Sequence, residues 1–301
     1  MAEDACACGT VEVNTGEVQC VRKFRKTVGL LVVPLIANDG TVNSIDLSTT
    51  IDLTAKVQHT DSSKRFYPIL DLKDVETPTA ETKFKTAKDG TKYPLSKGIK
   101  SFKATKFDIG SMYASKLEKI ACGTFGVYPV DAEGNVRGLK SGTVLLPIKM
   151  QGWDVVFQDE IDDDISQLMI SFDFNILLDI SEYWLLSAVD TVLNANEISG
   201  LIDANLTVGA ITTTSVVVVC TSDYGSGVSS ETNDRIKGQV AADFSITRTD
   251  TNVDVPVLTC TEGADGSYTL TYTIITGSTV PLRARLITTS GYDGYADYID
   301  A

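Results

Sequence analysis

Short apolar runs separated by polar turn signals dominate the hydropathy pattern of the chain. Threonine, valine, isoleucine and tyrosine fill these runs, which end at turn signals such as Asn38-Asp39-Gly40 and Asp265-Gly266. Short strands at this spacing are typical of an all-β sandwich or barrel. The sequence shows no fixed internal period. We therefore expect a mainly β protein.

Two segments have helical periodicity instead. The first extends from about 112 to 121 after Ser111, and the second from about 182 to 194 after Ser181. Each begins after a serine that can serve as the N-cap residue. Apolar side chains fall on one face in both segments: Tyr113, Leu117 and Ile120 in the first, and Trp184, Leu185, Ala188, Val189 and Val192 in the second. We expect two short helices that cover an open edge or face of the β domain.

A long basic hairpin is predicted between residues 83 and 107. Residues 83–87 lead in, the Asp89-Gly90 turn reverses the chain, and residues 99–107 form the return arm. Asp-Gly between two such arms is a strong hairpin signal. Eight lysines and one acid lie between residues 83 and 106.

The segment 154–190 has the opposite character, because it contains acidic residues and no lysine or arginine. Residues 159–164 (DEIDDD) form its densest part, here called the acidic run. Complementary charged patches steer head-to-tail association, which generates rings or filaments. We predict inter-subunit contacts at Lys83, Lys85, Lys97, Lys100, Lys103, Lys106, Asp159, Glu160, Asp162, Asp163 and Asp164. The alternative is that both patches are solvated faces that pair within one monomer.

A change of composition near residues 194–214 divides the chain. We expect two domains, 1–200 and 206–301, with a linker at 205–211. The second domain contains Asp265-Gly-Ser-Tyr-Thr-Leu-Thr-Tyr272, in which aromatic and leucine positions alternate behind a turn. This pattern resembles the later strands of bacterial immunoglobulin-like domains, and it predicts a small immunoglobulin-like sandwich.

The net charge of −14, from 40 acidic and 26 basic residues, argues against tight sequence-specific binding of nucleic acid. It still allows an acidic wall past which DNA slides. No apolar run approaches the roughly 20 residues that a membrane helix needs. Because the N-terminus has neither a basic region nor an apolar one, we expect no secretory signal and a reducing cytoplasm as the site of assembly.

Motifs for enzymatic chemistry are absent from the sequence. His59 is the single histidine, and neither a Gly-x-Ser-x-Gly elbow nor a phosphate-binding loop is present. The acidic run lacks the alternating ligands and central glycine of a calcium loop, which favours an interface or solvated surface. No feature selects a catalytic carboxylate pair. We expect no enzyme and no cofactor.

The six cysteines allow two further hypotheses. Cys6, Cys8, Cys20 and Cys122 form a weak candidate zinc set, because their spacing differs from paired C-x-x-C knuckles. Cys220 and Cys260 either form a bridge across the C-terminal sandwich or remain unpaired core residues, as is usual in a reducing compartment.

The order of elements is similar to tail-tube and related virion proteins of phages that infect Bacteroidetes-type hosts. The resemblance spans roughly residues 6–189. It rests on these segments: Asn14-Thr15-Gly16 between cysteines, Pro34 with Asn38-Asp39-Gly40-Thr41, residues 95–102, the helix stripe 116–120, the turn 126–135 and residues 144–148.

This resemblance implies a β-sandwich or half-barrel subunit with a long hairpin and one or two short helices. Subunits would join sheets into a hexameric ring, rings would stack through the hairpin, and acidic residues would line a lumen for DNA. The immunoglobulin-like domain would project outward, and other virion proteins would be partners. The N-terminal cysteine segment and the extra domain are not needed for a minimal tube. They leave neck, baseplate, head-decoration and surface-binding roles open.

Overall fold

A computed structural model describes residues 24–89, 91–96, 98–159, 165–175, 182–222, 235–273 and 280–300. Among these residues the chain divides into two compact units, residues 24–57 with 61–198 and residues 58–60 with 199–300. Both units are mainly β, as the hydropathy pattern predicts. No helix among the described residues is long and apolar enough to cross a membrane.

The described residues of the first unit form thirteen strands, two α-helices and short 3-10 segments. Its strands are β1 Thr27–Pro34, β2 Ile45–Asp46, β3 Tyr67–Ile69, β4 Lys73–Glu76, β5 Lys83–Thr86, β6 Lys92–Ser96, β7 Ser101–Phe107, β8 Phe125–Asp131, β9 Val136–Ser141, β10 Val144–Leu146, β11 Ile148–Gln158, β12 Gln167–Phe174 and β13 Tyr183–Leu186. Its helical segments are α1 Leu53–Val57, α2 Ser111–Glu118, and 3-10 segments at Ser62–Lys64, Lys119–Cys122, Ala188–Asp190 and Ala195–Glu197.

Strand pairing in the first unit runs almost completely around one core. β1 pairs with β8, and the ladder continues through β11, β12 and β7 to β4. β3 precedes β4 along the chain and pairs with β1. Leu72 lies in the chain between β3 and β4, and its amide donates a hydrogen bond to the carbonyl of Val28 in β1 at 2.8 Å. The ladder thus returns to its first strand, which produces a barrel-like enclosure.

The run Leu30–Val33 in β1 is fully buried on both faces. Leu30 and Val32 point into the barrel core, whereas Leu31 and Val33 belong to a second core on the other side. A continuous apolar run, rather than an alternating one, is what a strand covered on both sides requires.

Aromatic rings fill the barrel core, and α2 packs against it. Phe172 stacks on Phe102 at 4.8 Å between ring centroids and on Trp153 at 5.7 Å. Trp153 Nε1 donates to the Leu117 carbonyl of α2 at 3.0 Å. This helix confirms the first predicted helix, although Gly110 rather than Ser111 is its N-cap and its last turn is 3-10.

The second core lies under a branch of the sheet in which β9 pairs with β13 and β10, and β10 pairs with β2. A fully buried carboxylate, Asp131, organises one side of it. Asp131 accepts hydrogen bonds from the amides of Arg25, Glu133 and Asn135 and from Asn135 Nδ2, at 2.9–3.0 Å. Asn135 Oδ1 in turn accepts from the amide of Ala188 at 3.1 Å.

The second predicted helix, at residues 182–194, is wrong. The described part of this segment forms β13, which pairs with β9 so that Trp184 lies opposite Gly138, followed by a 3-10 turn. Trp184, Val189 and Val192 are exposed, so they do not form a buried helical stripe. A short apolar run rich in aromatics fits a strand as well as a helix, and the available sheet edge decides.

In the second unit, the part of the chain that the structure describes forms eight strands in the order of an immunoglobulin sandwich. They are β14 Ile202–Thr212, β15 Ser215–Ser222, β16 Phe244–Arg248, β17 Asp254–Val255, β18 Val257–Glu262, β19 Ser267–Tyr272, β20 Pro281–Leu286 and β21 Tyr292–Ile299, with 3-10 turns at Ala241–Asp243 and Thr288–Ser290. One antiparallel set is β14-β15-β19-β18, the other is β21-β20-β16-β17, and β14 joins β21 in parallel. In immunoglobulin labels, the first set corresponds to the ABED sheet, and the second set corresponds to the GFC sheet with β17 as an additional strand C′.

Alternation in β19 follows the sequence pattern, since Tyr268, Leu270 and Tyr272 are all buried. The predicted linker at residues 205–211 is wrong, because these residues lie inside β14, whose eleven residues pair with β15. Cys220 and Cys260 are free thiols in strands of the same sheet, so they do not face each other across the sandwich. Burial raises the pKa of the Cys220 thiol to about 12.

Candidate functional site: an exposed basic hairpin

β5, the turn and β6 form an exposed hairpin in the first unit, here called the basic hairpin (residues 83–96). Phe84 lies opposite Pro94, Lys85 opposite Tyr93 and Thr86 opposite Lys92. Asp89 accepts a hydrogen bond from the Thr91 amide at 3.0 Å in the turn. Hydrogen bonds from the Thr91 amide and hydroxyl lower the pKa of the Asp89 carboxyl below its ordinary value. The Ala87 amide donates to the Thr91 carbonyl at 2.8 Å, which confirms a turn at the predicted position.

The basic hairpin continues the β4–β7 ladder. The Ala80 amide donates to the Ile99 carbonyl at 2.9 Å, and Thr79 bridges to Lys100. A Cβ on Gly98 would lie 1.6 Å from the Ala80 carbonyl oxygen, so glycine permits this close approach of the two arms. The predicted return arm is therefore corrected: β6 pairs with β5, whereas β7 belongs to the main sheet between β12 and β4.

No hydrophobic core supports the basic hairpin among the described residues. All four side chains of β5 are exposed, Phe84 at 55% and Tyr93 of β6 at 54%. Neither aromatic belongs to a core cluster of the first unit. An isolated two-stranded hairpin is marginally stable at best in water. The basic hairpin thus presents two aromatic rings among Lys83, Lys85 and Lys92 to solvent.

The structure divides the predicted lysine contacts into exposed and half-buried groups. Lys83 and Lys85 are exposed on the basic hairpin, and Lys103 is exposed on β7. Lys106 Nζ donates to the Leu70 carbonyl at 2.6 Å, and burial lowers its pKa. Lys100 is also half-buried. Lys97 lies outside the described residues.

Asp159, the first residue of the acidic run, is exposed at the end of β11. Glu160, Asp162, Asp163 and Asp164 lie outside the described residues, as do Cys6, Cys8 and Cys20. Cys122 is exposed and has a free thiol. No group of three or more metal-ligating side chains is present in the part of the chain that the structure describes.

Sequence reasoning missed a group of stacked cations near the base of the basic hairpin. Lys100 Nζ lies 5.9 Å from the ring centroid of Tyr183, and Arg137 Cζ lies 5.2 Å from the same ring. Burial lowers the pKa of both cations, and the charge of Arg137 lowers that of Lys100 further. These residues are distant in the sequence, so no local pattern joins them.

A cavity of about 650 Å³ is also present on the branch formed by β2, β10, β9 and β13. Its lining includes Ser48, Thr50, Trp184 and Asp190. Lys140 Nζ lies 3.6 Å from the centroid of the exposed Trp184 ring, so a cation already covers part of this surface.

Comparison with known proteins gives no family assignment. No family model matches the sequence, and no curated protein is similar to it at a significant level.

Proposed function

We propose that this protein is a self-assembling structural subunit of a virion, of the tail-tube kind, whose rings form a conduit for DNA. The observation that carries this proposal is the basic hairpin, an ordered extension with exposed aromatic rings and no core of its own. The proposed role is geometric, so the assembly itself is the function.

Chain entropy supports a partner for the basic hairpin. Ordering each residue costs roughly 1–2 kcal/mol, and this cost is normally offset by apolar burial. Phe84 and Tyr93 each retain more than half of their surface in solvent. Burying the remainder against a second copy contributes about 1–2 kcal/mol for each ring. That gain favours association and is absent in an isolated monomer.

Charge also supports association between copies. Lys83, Lys85 and Lys92 concentrate positive charge on the basic hairpin, although the whole chain carries a net charge of −14. A positive extension on an acidic body favours heterologous contacts, in which an extension meets a different surface of the next copy. Such contacts close into rings or continue as filaments. An acidic body also suits a conduit, because it does not hold DNA tightly.

The test is charge reversal on the basic hairpin alone. We expect Lys83→Glu/Lys85→Glu/Lys92→Glu to remain folded and to lose self-association, measured by sedimentation velocity over a range of concentrations. Matched reversals at three exposed lysines elsewhere, Lys119, Lys149 and Lys237, make the same change in net charge. They should leave association intact. Equal association of the hairpin variant and the wild type would contradict the proposal.

A second candidate function is surface binding or virion decoration through the second unit. The immunoglobulin-like order of the described strands favours it, because such sandwiches present loops and edges to partners. Under this alternative, removal of the basic hairpin charges leaves the biological activity intact. The fold alone does not identify a ligand.

A further inference from the structure

The cavity on the branch formed by β2, β10, β9 and β13, here called the branch cavity, has a wall that backbone hydrogen bonds hold in place. Its volume of about 650 Å³ lies in the range of small-ligand sites. The loop 47–51 forms this wall. At its first end the Leu47 amide donates to the Thr143 carbonyl at 2.9 Å, and at its last end the Val192 amide donates to the Ile51 carbonyl at 2.9 Å. The cavity is therefore shaped by a loop that is anchored at both ends.

The apolar part of the cavity lining continues the second core. Leu186 of β13 and Ile51 are buried in that core and also line the cavity. Trp184 lies two residues before Leu186, hence on the same face of β13, and 47% of its surface is exposed. Val189, in the 3-10 segment that follows β13, is 68% exposed. Both side chain types are usually well buried, so together they present an apolar patch to a molecule that enters the cavity.

The polar part of the lining combines hydrogen-bond donors and acceptors. It includes four hydroxyl side chains, one ammonium group and one carboxylate, from Ser48, Thr49, Thr50, Thr143, Lys140 and Asp190. Each hydroxyl group both donates and accepts, lysine only donates, and an ionised aspartate only accepts. The single positive and the single negative charge of this set offset each other. The set therefore suits a neutral ligand with many hydroxyl groups better than a strongly charged one.

The exposed indole ring of Trp184 is fixed by a neighbouring cation. Trp184 lies opposite Gly138 of β9, and Lys140 follows two residues later on the same face of the sheet. Lys140 Nζ lies 3.6 Å from the centroid of the ring. The electronegative face of an aromatic ring attracts C–H groups that neighbouring oxygen atoms polarise, such as those on one face of a pyranose sugar. The pair thus offers an apolar platform with a hydrogen-bond donor beside it.

We propose that the branch cavity binds a neutral saccharide, whose apolar ring face packs on Trp184 while its hydroxyl groups pair with the polar lining. A saccharide is apolar on one face and polar around its rim, which matches an exposed ring among hydroxyl and charged side chains. A nucleobase also stacks on exposed aromatic rings, but it presents few hydroxyl groups to such a lining. This site belongs to the first unit alone and does not rest on the proposed self-assembly.

The experiment titrates the full-length protein with neutral tetrasaccharides of different backbones: maltotetraose, cellotetraose, mannotetraose, xylotetraose and the tetramer of N-acetylglucosamine. Calorimetry measures the affinity, and acrylamide quenching of tryptophan fluorescence reports on Trp184. The other tryptophan, Trp153, belongs to the barrel core, where its indole nitrogen donates to the Leu117 carbonyl at 3.0 Å. We expect at least one tetrasaccharide to bind and to protect the exposed tryptophan from the quencher.

Substitutions in the cavity locate the binding. Trp184→Leu keeps an apolar side chain on β13 but removes the ring, so it should weaken binding about tenfold or more. Trp184→Tyr keeps a smaller platform and should retain most of the affinity. Lys140→Met should weaken binding about threefold or more, because it removes one donor. Tyr93→Leu is the matched control, since Tyr93 is also an exposed ring beside a lysine, Lys85, but lies on the basic hairpin. It should bind like the wild type.

Each contrary outcome overturns a defined part of the proposal. A lack of binding by every tetrasaccharide at millimolar concentration overturns the saccharide site. Binding that Trp184→Leu leaves unchanged, or that Tyr93→Leu weakens equally, overturns its location in the branch cavity. Adenosine is the probe for a stacked base. Adenosine binding that depends on Trp184, without binding of a tetrasaccharide, overturns the saccharide class and assigns the cavity to a nucleobase.

Discussion

Replacement of Asp131 is the most direct test of how the first unit is held together. Its carboxylate is fully buried and accepts four hydrogen bonds, three of them from backbone amides. Asp131→Ala removes all four acceptor contacts and leaves the donors in place. Leaving one buried donor unsatisfied costs about 1–3 kcal/mol. The amides of Arg25 and Glu133 lie in partly exposed surroundings and regain water, so we expect a total of about 3–5 kcal/mol.

Tryptophan fluorescence during urea unfolding measures this loss selectively, because Trp153 and Trp184 are the only two tryptophans and both lie in the first unit. Asp46→Ala is the matched control. Asp46 accepts the same kind of turn bonds from the Ser48 amide and hydroxyl, at 2.9 and 2.7 Å, but it is exposed. We expect the control to cost less than about 1 kcal/mol. A midpoint shift for Asp131→Ala no larger than that of the control would refute the reasoning.

Two further predictions concern the two cores. Phe172→Ala should destabilise the first unit by about 3–5 kcal/mol in the same fluorescence assay, because it opens a cavity between three aromatic rings; Phe107→Ala, at a 42% exposed position, should cost under about 1 kcal/mol. In the second unit, the folded state retains the Cys220 proton up to a pKa of about 12, whereas the unfolded thiol releases its proton near about 8.5. Stability should therefore fall as pH rises through this window, and Cys220→Ala should make the fall shallower in urea titrations followed by circular dichroism. An unchanged slope in that variant would mean that the Cys220 thiol does not contribute.

Local sequence patterns predicted those elements whose environment is itself local or uniform. Short apolar runs indicated strands, and the run Leu30–Val33 in β1 is one of them. The period of Leu117 and Ile120 indicated α2. Alternation in residues 267–272 indicated a strand of the second sandwich. In each case the burial of the side chains follows directly from the spacing along the chain.

Tertiary context decided the elements that the sequence analysis got wrong. Residues 183–186 form β13 because β9 offers an open edge for pairing, which no local pattern reveals. The half-burial of Lys106 in β7, and of Lys100 just before this strand, likewise depends on the main sheet, and no local pattern of charge indicates it. The Tyr183 ring brings together Lys100, near the base of the basic hairpin, and Arg137 of β9. Such a pair is recognised only once the strand order brings the two together.

Self-assembly into a hollow structure remains the central claim, and negative-stain electron microscopy of the purified full-length protein tests it most directly. Grids prepared at several protein concentrations and ionic strengths should show rings or tubes with a central channel. Their abundance should fall as salt screens the basic hairpin. A uniform population of small solid particles under all of these conditions would contradict the claim and would turn attention to the immunoglobulin-like unit.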